Sequence, residues 1–484
     1  MKKFIYLTSF VVMTMMSASC SNDVEDEVIP PQQERIVFKT NMMLNGDKPT
    51  FEEKATRAAE DWEDGSKIYL QFAVGKSRVS GMASYDASRS QWTVELYGAL
   101  NATNDGACEA YYFENPGSVT YSSVTLNKTT AIYADKKASY AFEDNTVTVN
   151  ASLKPMTGRI RMKGSANQSF ITEGITFYGS YNLDDNLFIK GDTAFKASVA
   201  KSGYSDYFYG FFADEENRKL TFHDRANNVS FERVMGENAL AEGRSGFIDI
   251  PTPTNRSGWT AVRYKDYTVE GVTFRMMKVF NGTKDITGDY FYIGETEVTQ
   301  ELWEAVMQTN PSSVLGEKYP VTNVTRDDCL SFIEKLNSKT NSRFTLPSTE
   351  EWQYAAKGGN LTKGYTYCGS NTAADVSWYS LNSNGQPHEV KLKQPNELGI
   401  FDMGGNVAEW SNNDWTTHSY NIYSAYKYYG GYYSSSSEGI TPFSSSYNVD
   451  TNNQLNLAYA SEHDKAAHVG FRLICDETTL TLAH

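Results

Sequence analysis

Pro395-Asn-Glu-Leu-Gly-Ile-Phe-Asp-Met-Gly-Gly-Asn-Val-Ala-Glu-Trp410 is the most informative stretch of this 484-residue chain. Its Gly404-Gly405 pair permits positive φ angles and a tight turn. Asp402, Asn406 and Glu409 place three oxygen-bearing side chains around that turn, and the final tryptophan is a large apolar anchor. Compact loops of this kind supply the carboxylates and backbone carbonyls that hard cations need. The alternative is a buried turn whose polar groups cap one another.

Further short blocks follow one another in a fixed order on both sides of this turn. They are Gly294-Glu-Thr-Glu-Val-Thr-Gln300, Trp303, Tyr319-Pro-Val321, Phe344-Thr-Leu-Pro-Ser-Thr-Glu-Glu-Trp-Gln-Tyr-Ala-Ala356, Val376-Ser-Trp-Tyr379 and Gly470-Phe-Arg-Leu473. Together with the central stretch they resemble the formylglycine-generating-enzyme-like (sulfatase-modifying-factor) domains. The resemblance implies an α+β domain at residues 267–476, related to C-type-lectin-like architecture, with a tail at 477–484.

Helix signals in this part of the chain favour the same α+β class. Thr299 and Thr325 are placed to cap helices, and Ser348-Thr-Glu-Glu351 has the pattern of a capping box. Apolar residues spaced i, i+3, i+4 and i+7 after Thr325 predict that Cys329 faces a core as a small hydrophobe.

Members of this family that are enzymes oxidise a sulfatase cysteine with copper and oxygen, through two cysteines placed before the closing block. Here no cysteine lies between Gly431 and Gly470, and Cys475 lies beyond that block. The family's preceding Arg-Gly-Gly-Ser-Trp block has become Tyr429-Gly-Gly-Tyr-Tyr433. Because paired soft thiolates hold Cu(I), we expect no catalytic residues and no copper in this chain.

The resemblance also implies a cation site in the central turn. The positions that match the family's ligands are Asp402, Gly405, Val407 and Glu409. All four can offer oxygen atoms, so the sequence predicts a structural calcium ion there.

A tyrosine-rich segment from Ser419 to Asn453 points to binding. Eight tyrosines lie between Tyr420 and Tyr447, among serines and glycines. Tyrosine gives rigid amphipathic contact area, and serine and glycine give adaptable polar contacts. The predicted ligand contacts are Trp415, Tyr428, Tyr429, Tyr432 and Tyr433. The alternative is a solvated surface loop.

Charge and cysteine content narrow the possible partners. The chain has 44 basic and 59 acidic residues, a net charge of −15. Because a basic footprint is missing, nucleic acid is not expected as a partner.

The four cysteines after the signal segment point to no particular site. Cys108, Cys329, Cys368 and Cys475 show no metal-ligand spacing, and the sequence does not indicate which of them would pair in a disulfide.

Residues 1–20 have the pattern of a bacterial lipoprotein signal peptide. Basic Lys2-Lys3 precedes an apolar run that is too short to span a bilayer. Ser17-Ala-Ser-Cys20 resembles a lipobox, so Cys20 is the predicted site of lipidation, palmitate included. The alternative is an ordinary cleaved signal. An acidic tether at 21–35 resembles the surface-export signal of some Gram-negative lipoproteins, which predicts a surface-exposed outer-membrane lipoprotein anchored by lipid.

Alternating runs such as Thr146-Val-Thr-Val-Asn-Ala-Ser-Leu153 predict antiparallel β-sandwiches before residue 250. Pro155-Met-Thr-Gly158 divides them into a first sandwich at 36–155 and a second at 156–250. A Pro- and Thr-containing run then predicts a linker at 251–266.

Residues 21–260 also resemble the fimbrillin-like proteins of Gram-negative anaerobes. The segments that carry this likeness are Ala55-Thr-Arg-Ala58, Cys108-Glu-Ala-Tyr-Tyr-Phe113, Thr130-Ala-Ile-Tyr-Ala-Asp135, Leu153-Lys-Pro-Met-Thr-Gly-Arg-Ile160 and Gly210-Phe-Phe-Ala-Asp214. The family implies two transthyretin-like sandwiches and assembly into pili after a protease cuts at an arginine, here Arg57. Loss of a strand exposes a sheet edge that a strand from another subunit can complete. The alternative is that Arg57 lies in a loop that nothing cuts.

The sequence therefore predicts a fimbrial tip or accessory lipoprotein on the outer membrane or in the fimbrium. Its silent head would bind a host or microbial glycan or protein, and its stalk would contact other pilus subunits. Two alternatives stay open: an active formylglycine-generating oxidoreductase on a pilin-like stalk, and a structural lipoprotein of a surface secretion apparatus.

Overall fold

The computed structural model describes residues 38–49, 51, 61–98, 100, 105–120, 122–252, 254–280, 290–412, 428–442, 448–449, 455–456 and 467–475. The predicted signal peptide with Cys20, the tether, Arg57, Trp415 and the tail lie outside these residues. Within them, no helix combines the length and the apolar character needed to cross a membrane.

The first domain is a β-sheet that closes on itself. Its strands are β1 Phe38–Asn45, β2 Lys67–Val74, β3 Ser77–Asp86, β4 Gln91–Tyr97, β5 Gly106–Glu114, β6 Ser123–Thr125, β7 Ala131–Glu143, β8 Thr146–Asn150 and β9 Lys154–Pro155. The sheet order is β5-β2-β3-β4-β1-β8-β7-β9, and β5 also pairs with β7, which closes the ring. Closure leaves the strands of the ring without a free edge.

Alternation along the strands builds the interior of this ring. Trp92, Val94 and Leu96 of β4 are buried, as are Val147 and Val149 of β8, because successive side chains of a strand point to opposite faces. The pairing is mostly antiparallel, but β1 runs parallel to β8. The predicted antiparallel pairing is therefore found in most of this sheet, and the β1–β8 pair departs from it, because residue alternation does not encode strand direction.

The second domain consists of two sheets around one core. Its strands are β10 Gly158–Lys163, β11 Ser169–Glu173, β12 Ile175–Thr176, β13 Tyr178–Asn182, β14 Leu187–Lys190, β15 Ala194–Ser198, β16 Phe208–Phe212, β17 Lys219–Asp224, β18 Val229–Val234, β19 Ser245–Asp249 and β20 Thr260–Val262. Sheets β12-β16-β10-β19 and β15-β11-β17-β18-β20 contribute to a single apolar cluster that includes Ile160, Phe170, Phe208 and Phe222. Strands β10 and β19 are parallel.

The two β domains share a small sheet and an aromatic cluster. Strand β13 pairs with β6 on one side and with β14 on the other. Tyr181 of β13 is fully buried against Tyr69, Tyr111 and Phe113 of the first domain. The predicted boundary near residue 155 is thus crossed by packed side chains.

The predicted linker at 251–266 contains ordered strand. Strand β20 pairs with β18, with Phe231 opposite Ala261. Trp259 packs edge-on against Phe222, with ring centroids 5.2 Å apart. Only Arg263 separates β20 from the first strand of the next domain. The proline-rich start of this segment concealed a short strand, because a three-residue run carries little periodic signal.

The C-terminal domain, here called the head, is α+β. Its strands are β21 Tyr264–Val269, β22 Val272–Phe280, β23 Tyr290–Gly294, β24 Phe344–Thr345, β25 Ala408–Trp410, β26 Tyr428–Tyr429, β27 Asn448–Val449, β28 Leu455–Asn456, β29 Val469–Phe471 and β30 Ile474–Cys475. Its helices are α1 Gln300–Met307, α2 Arg326–Thr340, α3 Thr349–Ala356 and α4 Ala373–Val376. The main sheet has the order β21-β22-β23-β30-β24, and β26-β25-β29 forms a smaller one.

The predicted helix caps are confirmed. The Thr299 side chain accepts a hydrogen bond from the Leu302 N–H at the start of α1. Thr325 with Asp328, and Ser348 with Glu351, form reciprocal capping boxes at α2 and α3. Cys329 is fully buried in the head core, as its helical spacing predicted.

We expect Thr325→Ala to destabilise the head by about 1 kcal/mol, because it removes the acceptor for the Asp328 N–H at the first turn of α2. Denaturant unfolding of the full chain measures this loss. Ser331→Ala, at an exposed position of the same helix, is the matched control and should change stability by less than about 0.5 kcal/mol. Equal losses in the two variants would contradict the capping role.

Candidate functional site

Left-handed backbone positions shape the central turn of the head. Asp402 has φ 56°, Gly405 has φ 80° and Asn406 has φ 56°. A side chain at Gly405 would put its Cβ 2.1 Å from the Trp378 carbonyl oxygen, so only glycine fits. The turn leads directly into β25, which carries Glu409 into the core.

Arg472 and Glu409 form a fully buried ion pair beside this turn. The Arg472 Nη2 lies 2.7 Å from Glu409 Oε1, and its Nε lies 3.0 Å from Oε2. Trp352 Nε1 donates to Glu409 Oε2 at 2.7 Å. Burial alone would lower the pKa of Arg472, but Glu409 and two further carboxylates raise it above its ordinary value. The guanidinium therefore stays charged and neutralises Glu409.

The same guanidinium connects separate segments of the chain. Its Nη1 donates to the Gly294 carbonyl oxygen at 2.8 Å, at the end of β23. Its Nη2 donates to the Phe401 carbonyl oxygen at 2.9 Å, just before the turn. Arg472 thus ties the closing segment, the central turn and the main sheet together.

Glu297 and Asp402 are the two further buried carboxyl groups near Arg472. Glu297 Oε1 accepts from Asn406 Nδ2 at 3.1 Å, and Asp402 Oδ2 accepts from the Lys391 N–H at 2.9 Å. Among the described residues, Glu297 Oε2 and Asp402 Oδ1 have no hydrogen-bond partner. Burial raises the pKa of both carboxyl groups, and each feels a neighbouring negative charge. Protonation therefore relieves part of the buried charge.

The predicted calcium ligands meet in this turn, but one of them, Glu409, is already engaged by other side chains. Both oxygens of Glu409 already accept hydrogen bonds from Arg472 and Trp352. Asp402 retains one unpartnered oxygen, and Gly405 and Val407 can offer only carbonyls. Calcium takes six to eight oxygen ligands, waters included, so the predicted ion stays a prediction. In the structure Glu409 is the partner of Arg472.

Sequence reasoning missed Glu297, Trp352 and the role of Arg472. The available signal was an arginine inside the apolar closing block and a glutamate inside the Gly294–Gln300 block. Charged residues in otherwise apolar segments usually need a partner, although the sequence does not say which one.

The predicted ligand-contact tyrosines separate into buried and half-exposed positions. Tyr429 is buried, stacks on Trp352 with centroids 5.6 Å apart, and bonds Thr349 Oγ1 through its hydroxyl at 2.8 Å. The prediction of Tyr429 as a ligand contact was wrong, because its ring belongs to the core. Trp415 lies outside the described residues.

Tyr428, Tyr432 and Tyr433 are half-buried and gather around His468. We call these four residues the aromatic patch. The Tyr432 and His468 rings lie 4.2 Å apart, Tyr428 and His468 lie 6.3 Å apart, and Tyr432 meets Tyr433 edge-on at 5.4 Å. Burial lowers the pKa of His468, so its imidazole is neutral at pH 7.

Soft metal ligands are not assembled in the part of the chain that the structure describes. That part holds no group of three or more His, Cys, Asp or Glu side chains able to hold a metal ion. Cys108, Cys329 and Cys368 have buried, free thiols, and Tyr267 contacts the buried Cys475 sulfur at 3.9 Å. Burial raises the pKa of Cys108 to about 12, and the Cys329 and Cys368 thiols also shift upward. These thiols are therefore poor nucleophiles.

We expect Arg472→Met to destabilise the head by about 3–5 kcal/mol, because it leaves the Glu409 carboxylate buried without its counter-charge. Glu409→Gln should cost a comparable amount by stranding the guanidinium. Lys39→Ala, which breaks the exposed Lys39–Glu95 pair at 3.4 Å, should cost at most about 1 kcal/mol. Denaturant unfolding compares the three, and a small effect of Arg472→Met would refute the assigned role.

We expect removal of calcium to leave the melting temperature of the protein unchanged, since Arg472 supplies the positive charge beside Glu409. Differential scanning calorimetry after EDTA treatment, with and without added calcium, tests this. Asp402→Asn is the control, because it removes the one unpartnered carboxylate of the turn. A calcium-dependent rise in the wild type that Asp402→Asn abolishes would confirm the predicted ion.

Comparison with known proteins places the head in a family. Residues 264–477 match the model of the sulfatase-modifying factor enzyme 1-like domain. An inactive C-alpha-formylglycine-generating enzyme 2 from Bos taurus is 29% identical over 186 residues, covering 34% of this chain and 58% of its own.

Solved structures with some likeness include Treponema denticola variable protein 1 and the fimbrial anchor protein Mfa2 from Porphyromonas gingivalis. The first is 28% identical and covers 44% of this chain and 98% of its own, with a TM-score of 0.37. The second is 12% identical and covers 38% of this chain and 78% of its own, with a TM-score of 0.22. Likenesses with TM-scores of this size do not decide a function.

A chaperone protein LppX from Paenibacillus barcinonensis is the most informative relative. It is 32% identical over 214 residues, covering 34% of this chain and 75% of the relative. Through residues 264–477, the chain therefore belongs to the family of sulfatase-modifying factor enzyme 1-like domains.

Proposed function

We propose that this chain is a surface-exposed fimbrial tip or accessory lipoprotein whose head does not oxidise sulfatases and instead binds a ligand for cell adhesion. One observation carries this proposal. The stretch between Gly431 and Gly470, where active relatives have their cysteine pair, contains no cysteine, and the aromatic patch lies at its two ends.

The loss of the cysteine pair removes the copper ligands that the family's oxidation requires. Cys475 cannot substitute, because it lies buried in β30 of the main sheet, paired with β23 and β24. Cys368 is buried against the Met403 carbonyl oxygen at 3.4 Å. A family member with an intact fold and no cysteine pair is better suited to binding than to redox chemistry.

The aromatic patch has the chemistry of a carbohydrate or protein contact. Tyr432 and Tyr433 present partly exposed rings with hydroxyl groups, and His468 is held against Tyr432. Rigid aromatic faces stack on apolar faces of sugars and proteins, while their hydroxyls satisfy polar neighbours. Tyr429, which follows Tyr428 of the patch in the chain, is buried and stacks on Trp352.

The N-terminal region suits a stalk. Its two β domains pack against each other, and β20, which pairs with β18, lies one residue before the first strand of the head. The sequence likeness of residues 21–260 to fimbrillin-like proteins supports contact with other pilus subunits through strand addition, and the lipobox at Cys20 supports a lipid anchor in the outer membrane. Cutting at Arg57 belongs to the same proposal.

We expect full-length protein to bind a subset of sugars on an array of host and microbial glycans. The double substitution Tyr432→Ala with Tyr433→Ala should weaken this binding by about tenfold or more, equivalent to at least about 1.4 kcal/mol. Leu315→Ala removes an apolar side chain that is 70% exposed elsewhere on the head and serves as the matched control.

Two outcomes would contradict the proposal. Binding that is unchanged in the tyrosine variant would exclude the aromatic patch as the contact surface. Conversion of a sulfatase-motif peptide to formylglycine by the protein with copper and air would show instead that the head is an active oxidoreductase.

A further inference from the structure

A compact polar contact joins the second β domain to the head. The turn after β17 and the start of β18, residues 223–230, meet the end of β22 and the start of β23 in the head. We call this contact the joint. His223, Asn228, Ser230 and Lys278 are all at least nine-tenths buried there, so the joint excludes water.

Asn228 fastens the two domains through backbone groups. Its Nδ2 donates to the Lys278 carbonyl oxygen at 2.6 Å, and its Oδ1 accepts from the Phe280 N–H at 3.1 Å. Asn228 has φ 46°, a left-handed conformation that asparagine tolerates better than most residues. The Asn228 side chain thus hydrogen-bonds the Lys278 carbonyl and the Phe280 N–H of β22, as the backbone of a neighbouring strand would.

Four contacting polar side chains run through the joint beside Asn228. Lys278 Nζ lies 2.7 Å from Ser230 Oγ, and Ser230 Oγ lies 2.8 Å from His223 Nδ1. His223 Nε2 lies 2.9 Å from Glu173 Oε1. This last contact falls outside hydrogen-bond alignment, but it places the Glu173 carboxylate directly against Nε2. The chain runs from the head, at Lys278, to β11 of the second domain, the strand next to β17, at Glu173.

The direction of donation fixes the protonation of His223. The Lys278 ammonium can only donate, so Ser230 Oγ accepts from it. Among the described residues, His223 Nδ1 is the one acceptor in reach of the Ser230 hydroxyl hydrogen, and a buried hydroxyl needs such an acceptor. Nδ1 must then be an unprotonated acceptor, which leaves the proton on Nε2, facing Glu173. A second proton on Nδ1 would remove the acceptor for the Ser230 hydroxyl and add a positive charge close to Lys278.

We propose that the joint is an acid-sensitive latch, which holds the head rigidly on the second β domain at neutral pH and loosens in mild acid. The inference rests on the four-member chain and its fixed direction of donation. It is independent of whether the head binds a ligand. The consequence is that protonation of His223 weakens one of the contacts that hold the angle between the second β domain and the head.

The charges that face His223 come from several elements. Glu173 of β11 and Glu232 of β18 favour the protonated form, whereas Lys278 of β22 opposes it, and the Phe280 and Tyr290 rings pack against the imidazole at 5.4 and 5.5 Å. Burial is the largest influence and, with Lys278, keeps the pKa of His223 below its ordinary value. Burial alone would raise the pKa of Glu173, but His223 and Lys278 lower it, so Glu173 stays charged.

The sign of the pH effect follows from the lowered pKa of His223. A histidine exposed in an open joint has a pKa near 6.5, above that of the closed joint. The open form therefore binds more protons, and the closed joint loses stability as the pH falls below about 6.5.

Hydrogen exchange on the full chain, corrected for the intrinsic pH dependence of exchange, tests the latch. We expect amides of residues 223–230 and 276–280 to lose protection by about tenfold between pH 7.5 and pH 5. When the open form binds one more proton than the closed form, the equilibrium constant for opening rises about tenfold for each pH unit. Amides of α2, inside the head, are the internal reference and should keep their protection.

Two variants separate His223 from other titrating groups. His223→Gln, which cannot gain a charge, should remove the pH dependence at the joint. His388→Gln, which alters a histidine stacked on Trp378 in the head at 3.9 Å, should leave it intact. If His223→Gln does not fold, the wild-type series alone decides, because equal protection at both pH values overturns the latch. A pH response retained in folded His223→Gln overturns it as well.

Discussion

The buried pair of Arg472 and Glu409 is the interaction on which the head depends. A guanidinium removed from water is stable only when a counter-charge and further acceptors surround it, and Arg472 has a carboxylate and two backbone carbonyls. These acceptors belong to β25, β23 and the segment before the central turn. The closing block of the chain therefore holds together parts of the head that are distant in sequence. The left-handed turn leads into β25 with Glu409, Gly405 in that turn lies against the Trp378 carbonyl, and the buried Trp352 donates to Glu409.

The residues that hold the head together are not the cysteines with which the family's enzymes react. A family fold can persist when the reactive residues have gone, because packing and the ion pair do not involve the cysteine positions. Under the proposed function, the residues around the aromatic patch serve recognition. In the two β domains, aromatic packing across β13 spans the predicted boundary near residue 155, and the β20 pairing lies within the predicted linker at 251–266.

Much of the fold could be predicted from the sequence, and there are physical reasons why the remaining features could not. Helix caps such as Thr325 with Asp328 are local, so spacing alone located them, and the face of α2 with Cys329 followed from its period. Strand direction in β1 and β8 was not accessible, because alternation is the same in parallel and antiparallel strands. At the site, the turn from Asp402 to Glu409 was found, but the partner of Glu409 lies 63 residues further along the chain. Tyr429 and its half-buried neighbours are all tyrosines in one segment, so the sequence cannot tell them apart. Only the packing of Tyr429 on Trp352 shows that it belongs to the core.

The closed ring of the first domain has a directional consequence. Strand β1 lies between β4 and β8, antiparallel to the first and parallel to the second, with five residue pairs on each side. It precedes Arg57 in the chain, so a cut there would separate it from the strands it joins. Any strand that took its place would have to enter in the same orientation to satisfy both neighbours. A filament built through such a slot would be polar, with one end chemically different from the other.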